Sequence, residues 1–176
     1  MDSALATAIG KRLRSIPDYP KPGILFRDIT PVLGDGQLFR KILEALARPY
    51  RHEGISHVVG IEARGFILGG PVAMLLGAGF VPVRKEGKLP WQTRRQEYAL
   101  EYGTNVVEAH ADSVDARSKV LIVDDVLATG GTAQAAAELI RALGATVAGW
   151  SFLLEIGGLG GRKLLRDAPT TVLLET

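Results

Sequence analysis

From Val120 to Leu143 the chain passes from an apolar run, through two adjacent carboxylates and a turn of small residues, into a segment with helical patterning. Val120–Val123 suits a strand buried on both faces. Ala136, Leu139, Ile140 and Leu143 then fall on one apolar stripe, which predicts a helix over Thr132–Leu143. The alternation recurs on both sides. Strands are predicted over His57–Ile61, Phe80–Val83, Lys119–Asp124, Thr146–Glu155 and Thr170–Leu174, with a helix over Phe66–Leu76. Strands alternating with helices imply an α/β fold, a doubly wound and mostly parallel sheet with flanking helices. Ligands of such sheets bind at the carboxyl ends of the strands. Functional residues are therefore expected just after Ile61, Val83 and Val123.

The chain of 176 residues, 47% of them apolar, reads as one domain with enough material for a core. Leu5, Ile9 and Leu13 predict an amphipathic helix over Asp2–Ile16, ended by Pro17, Pro20 and Pro22. Asp35 is a candidate N-cap for a second helix with Leu38, Phe39, Ile42, Leu43 and Leu46 on one face. Arg84–Asp112 breaks the pattern: it is long, polar and irregular, with a hairpin expected around Tyr98–Ala109. So long a loop in a compact domain is usually functional or disordered.

Several function classes fall away. With no cysteine there is no disulfide, thiolate nucleophile or sulfur-bound zinc. His52, His57 and His110 lack metal-ligand spacing. A net charge of +2 gives no argument for a nucleic-acid or membrane partner. The least polar stretch, Gly65–Val83, carries five glycines and two prolines and suits a buried helix and strand better than a membrane span. Met1–Arg14 lacks a signal-peptide pattern, so the expected location is cytoplasmic.

The chemistry concentrates at Asp124, Asp125 and the turn Ala128-Thr129-Gly130-Gly131-Thr132. Glycines allow close backbone approach, and free N–H groups at a helix start attract an anion such as phosphate. Thr129 and Thr132 add hydroxyls. No Walker lysine motif is present, and Gly157–Gly161 lacks dinucleotide-loop spacing and reads as a turn. Carboxylates repel phosphate, so the acid pair should face hydroxyls, a cation such as magnesium, or developing positive charge. A lone Asp-Asp more often caps a turn; the strand before it and the turn after it favour function here.

Val120–Thr132 resembles the phosphoribosyl diphosphate (PRPP) binding motif of the type I phosphoribosyltransferases. Asp18–Thr30, Gly60–Phe66, Val81–Pro90 and Tyr98–Gly103 resemble segments of the adenine-specific members, so the likeness runs from about Ile16 to Leu154. It implies one catalytic domain over 1–176, with a small N-terminal hood at about 1–34 and a mobile loop at about 87–103. It implies that Ala128, Thr129, Gly130, Gly131 and Thr132 hold the 5-phosphate, and Asp124 and Asp125 the ribose hydroxyls. Glu62, Ala63, Arg64 and Gly65, in a loop where the family often has a non-proline cis bond, would bind diphosphate together with Arg84, Lys85 and Lys88. Leu25, Phe26 and Arg27 would hold adenine, with Val126, where the family commonly has leucine, on the other ring face. Glu101 would manage the purine ring protons beside Tyr102.

Read without the family, Arg64 is an exposed loop arginine, the basic cluster a solvated face, Phe26 core filling and Glu101 a hairpin-edge carboxylate. Arg94 and Arg95 make the loop more basic than the family pattern. The implied reaction joins adenine to PRPP with Mg2+, releases AMP and diphosphate, and takes place in a homodimer. A regulator that kept the fold, or a sister enzyme for another base, are the competing readings. The former usually carries a nucleic-acid module; the latter typically reads its base from later segments.

Overall fold

The computed structural model describes residues 2–99 and 104–176. Asp2 accepts hydrogen bonds from the amides of Ala4 and Leu5 and starts α1 (Ser3–Arg12). This helix is shorter than the expected Asp2–Ile16. Leu13 is already extended, and Arg14–Ile16 forms β1, which pairs antiparallel with β2 (Phe26–Asp28). Pro17 disfavours a helical Ile16, and the β2 ladder supplies the backbone partners that the helix would have given. After α2 (Thr30–Leu33), Asp35 caps α3 (Gly36–Ala47) by accepting from the Leu38 amide at 3.1 Å, as the sequence indicated.

The rest builds one seven-stranded sheet. In chain order its elements are β3 (His57–Ile61), α4 (Arg64–Leu76), β4 (Gly79–Lys85), β5 (Thr93–Ala99), β6 (Thr104–His110), β7 (Lys119–Leu127), α5 (Gly131–Ala142), β8 (Thr146–Glu155) and β9 (Thr170–Glu175). The strand order is β5-β6-β4-β3-β7-β8-β9. Pairing is parallel from β4 through β9, and β6 and β5 add an antiparallel edge. The mostly parallel sheet expected from the alternation is present. The hairpin is larger than expected, because Thr93 already pairs with His110. Of the described β5 side chains only Thr93, Gln96 and Tyr98 are half-buried, so the strand carries no apolar alternation to read.

β7 shows how the sheet is covered. Val120 and Ile122 join a core with Trp150, Phe152, Leu139 and Ile140 under α5. Leu121 and Val123 point the other way, into a core with Leu68, Val72, Ile42 and Ile9 under α4, α3 and α1. Tyr50 ties the second layer down: its hydroxyl donates to the Trp150 carbonyl at 2.7 Å. No helix among the described residues is long and apolar enough to cross a membrane.

Candidate active site

β7 does not stop at the acids, as the sequence reading had it. Val126 and Leu127 continue the ladder to Leu154 and Glu155 of β8, so Asp124 and Asp125 sit inside the strand. Their backbone is therefore held by the sheet. Asp125 is 4% exposed. Its amide donates to Asp124 Oδ1 at 2.8 Å. Burial pushes both carboxyls above the usual carboxylate range, Asp124 well above it; the neighbouring Asp125 charge adds to the rise at Asp124, while Arg64 opposes it at Asp125.

Arg64, at the start of α4, lies with Nε 2.6 Å from Asp125 Oδ2. The contact is an ion pair and not an aligned hydrogen bond, so Oδ2 has no hydrogen-bond donor among the described residues. The Arg64 charge offsets part of the cost of burying this oxygen, and a hydroxyl donor would supply the aligned bond it lacks. The preceding Glu62–Ala63 peptide is cis. A Cβ on Gly65 would stand 2.9 Å from Asp124 Oδ1 and from the Val123 carbonyl, so only glycine lets α4 begin this close to β7.

The guanidinium of Arg64 also lies 5.4 Å from the ring centroid of Phe26. Phe26 is half-buried in β2 and meets Tyr19 edge-on at 5.2 Å. One chain of contacts thus links the hood, the β3–α4 loop and the acid pair. Leu25 is exposed, and Arg27 donates to Ser15 Oγ across the β1–β2 ribbon. Val126 is half-buried beside the acids.

Gly130 adopts φ +85° and begins α5 without a side-chain cap, so the turn Ala128–Thr132 presents uncapped helix-start amides. Thr132 shares a hydrogen bond with the Tyr98 hydroxyl at 3.2 Å. A residue the sequence reading missed closes the turn from behind. A Cβ on Gly161 would lie 2.2 Å from the Ala128 carbonyl oxygen, and one on Gly130 2.7 Å from the Gly161 carbonyl oxygen. The glycine cluster, a turn in the sequence, is therefore also the backing of the Ala128–Thr132 turn.

The basic cluster divides. Glu62 accepts from Arg84 Nη2 at 3.0 Å, from Arg84 Nε at 3.2 Å and from the Lys85 amide at 3.0 Å. The Arg84 bonds hold the Glu62 carboxyl below the usual range. Lys85 and Lys88 are exposed and have no ion-pair partner among the described residues. Glu101 and Tyr102 lie outside the described residues.

Residues 33–167 match the family model described as the phosphoribosyl transferase domain. The chain is 54% identical over 173 residues to the adenine phosphoribosyltransferase of Thermobifida fusca, covering 98% of each. It superposes on the adenine phosphoribosyltransferase structure from Rhodothermus marinus with a TM-score of 0.95, at 49% identity, covering 99% of this chain and 100% of that one. The Saccharomyces cerevisiae enzyme, solved with an imino-altritol bisphosphate and adenine, gives 0.91 at 39% identity, covering 97% and 99%. The chain belongs to the phosphoribosyltransferase family, in its adenine phosphoribosyltransferase branch.

Proposed function

We infer that the protein transfers the phosphoribosyl group of PRPP to adenine, giving AMP and diphosphate, a step of purine salvage. The observation that carries this is the contact chain Phe26–Arg64–Asp125. It groups an aromatic ring, a guanidinium and an acid pair, half-buried Asp124 and buried Asp125, near the carboxyl end of β3 and in the second half of β7, which suits a base, a diphosphate and a ribose. The near full-length relatives named for the same activity support it.

The anion turn Ala128–Thr132 takes the 5-phosphate through its amides and hydroxyls. Asp124 and Asp125 accept from the ribose hydroxyls and stabilise positive charge at the anomeric carbon as its bond to diphosphate breaks. Adenine N9 forms the new bond to that carbon, and its proton leaves; Glu101, with Tyr102 beside it, is our candidate to take it. Arg64, Lys85 and Lys88 meet the departing diphosphate, with Glu62, Ala63 and Gly65 shaping the loop. Phe26 and Val126 sandwich the purine, and Leu25 and Arg27 read its edge. Arg84 serves mainly as a strut, because its Nε and Nη2 donate to Glu62 and its Nη1 to the Lys88 carbonyl.

Mg2+ would neutralise diphosphate oxygens. The unmatched Asp125 Oδ2 suits a hydroxyl or a water of a hydrated cation, and any such ion would take its other ligands from substrate and water. We also propose a cytoplasmic homodimer. Ile67 and Met74, exposed and seven residues apart on α4, give that helix an uncovered apolar stripe. Sedimentation at assay concentration should give about twice the 18.8 kDa chain mass; a monomer would remove the dimer from the reading.

The test of function is diphosphate release from PRPP and Mg2+ with adenine, hypoxanthine, guanine, xanthine or orotate. Release with adenine alone is expected. Release with another base would overturn the purine-edge assignment, and silence with all five would favour a PRPP-sensing regulator.

A further inference from the structure

Glu108 is the least expected group near the site: a carboxylate on β6, 1% exposed, in a strand the chemistry above does not use. Its register places it beside Arg84 of β4 and Arg95 of β5, under the connection that carries Lys88. Oε1 accepts from the Lys88 amide at 3.0 Å and from the Leu89 amide at 3.1 Å. Oε2 accepts from Thr93 Oγ1 at 3.3 Å and lies 3.7 Å from Arg95 Nε. On the other side, Arg84 Nη1 donates to the Lys88 carbonyl at 2.9 Å, and Glu62 fixes Arg84. Both backbone polar groups of Lys88 are thus held by buried or part-buried side chains, while its ammonium has no ion partner among the described residues.

A carboxylate desolvated to this degree is costly, and its donors are the compensation. Fixing the turn at Gly87 and Lys88 costs chain entropy once, on folding, and not again when the anion binds. We propose that Glu108 is a positioning residue that presents Lys88 to the diphosphate of PRPP. The proposal rests on the reading that Lys88 is a diphosphate ligand. Glu108 touches no substrate; it acts through two consecutive amides.

The experiment is steady-state kinetics on the full chain, varying PRPP and adenine separately, for Lys88→Ala, Glu108→Ala and the double variant. Each single change is expected to raise KM for PRPP by roughly tenfold, with KM for adenine within about twofold. The double variant is expected to match Lys88→Ala, because there is then nothing left to position. An unchanged PRPP KM in Glu108→Ala alone overturns the proposal, as do losses that multiply in the double variant. An unchanged PRPP KM in Lys88→Ala overturns the underlying ligand reading and the proposal with it. Should Glu108→Ala fail to fold, Glu108→Asp replaces it. That carboxylate, one methylene shorter, cannot reach both amides, so a PRPP KM up by several-fold is expected and a wild-type value overturns the proposal. Glu108→Gln keeps an acceptor for both amides and is expected to restore a near wild-type KM; a loss as large as that of alanine would count against positioning.

Discussion

Asp125→Asn is expected to lower kcat/KM for PRPP by roughly 10²- to 10³-fold in a folded protein. The substitution keeps the shape of the side chain and removes a charge buried in the sheet next to Arg64. On the proposed mechanism, what is lost is a preorganised anion where positive charge develops on the sugar, and a strong acceptor for its hydroxyls. Thermal unfolding should show a native-like transition, since the amide still fits between α4 and β7. A variant that keeps more than a tenth of the wild-type kcat/KM would take Asp125 out of the reacting centre. The acid pair also fixes the pH profile. Burial raises both carboxyls, and at Asp124 the like charge of Asp125 adds to it. In the proposed mechanism the ionised pair is the active form, so kcat/KM should fall on the acid side at a pH above the ordinary carboxylate range. In Asp125→Asn, Asp124 loses its like-charged neighbour, and the acid limb of the residual activity should move to lower pH. Stability runs in the opposite sense. With folded pKa values above the unfolded ones, the folded state binds more protons between the two. Unfolding free energy therefore declines as pH rises from the ordinary carboxylate range through the raised values. Asp124→Asn should flatten that decline in a denaturant series across pH.

Gly161→Ala should raise KM for PRPP by at least about tenfold and lower the unfolding free energy by about 1–3 kcal/mol, leaving KM for adenine near wild type. The added methyl would stand 2.2 Å from the Ala128 carbonyl oxygen and 3.0 Å from the Gly130 amide. Both are backbone atoms, so no side chain can swing aside to relieve the overlap. The Ala128–Thr132 turn must shift or the segment Gly160–Leu164 must lift away from it. PRPP titration followed by calorimetry would separate the outcomes. Wild-type affinity with lower stability would mean that the lifted segment is only structural support; unchanged affinity and stability would show that the turn does not depend on its backing.

The parts of this molecule that could be read from the chain are those where one short stretch contains its own reason. Val120–Thr132 holds strand, acids, turn and helix start in sequence; the structure keeps strand, turn and helix start in that order and places the acids inside β7. The apolar stripe of α5 and the Asp35 cap of α3 are equally local. What escaped reading depends on partners far along the chain. Arg14–Ile16 looks helical until β2 is beside it. Thr93–Ala99 shows no apolar alternation: among its described side chains Arg94, Arg95 and Glu97 are exposed, and the half-buried Thr93, Gln96 and Tyr98 all carry polar groups. Gly161 is an ordinary turn glycine until Ala128 and Gly130 stand against it, and Glu108 an ordinary strand glutamate until the Lys88 amide is placed above it. Arg84 looked like a free cation because Glu62, 22 residues away, carries no mark of being its partner.

The β5–β6 ribbon has a consequence for how such a chain can change over generations. Residues 100–103 join two strands that pair from Thr93↔His110 to Ala99↔Thr104. Tyr98 on one rail reaches Thr132, and Glu108 on the other reaches Lys88. Because side chains alternate faces along a strand, one residue gained or lost within either rail would turn its anchor to the opposite side. The rails should therefore change by substitution and not by the gain or loss of a residue.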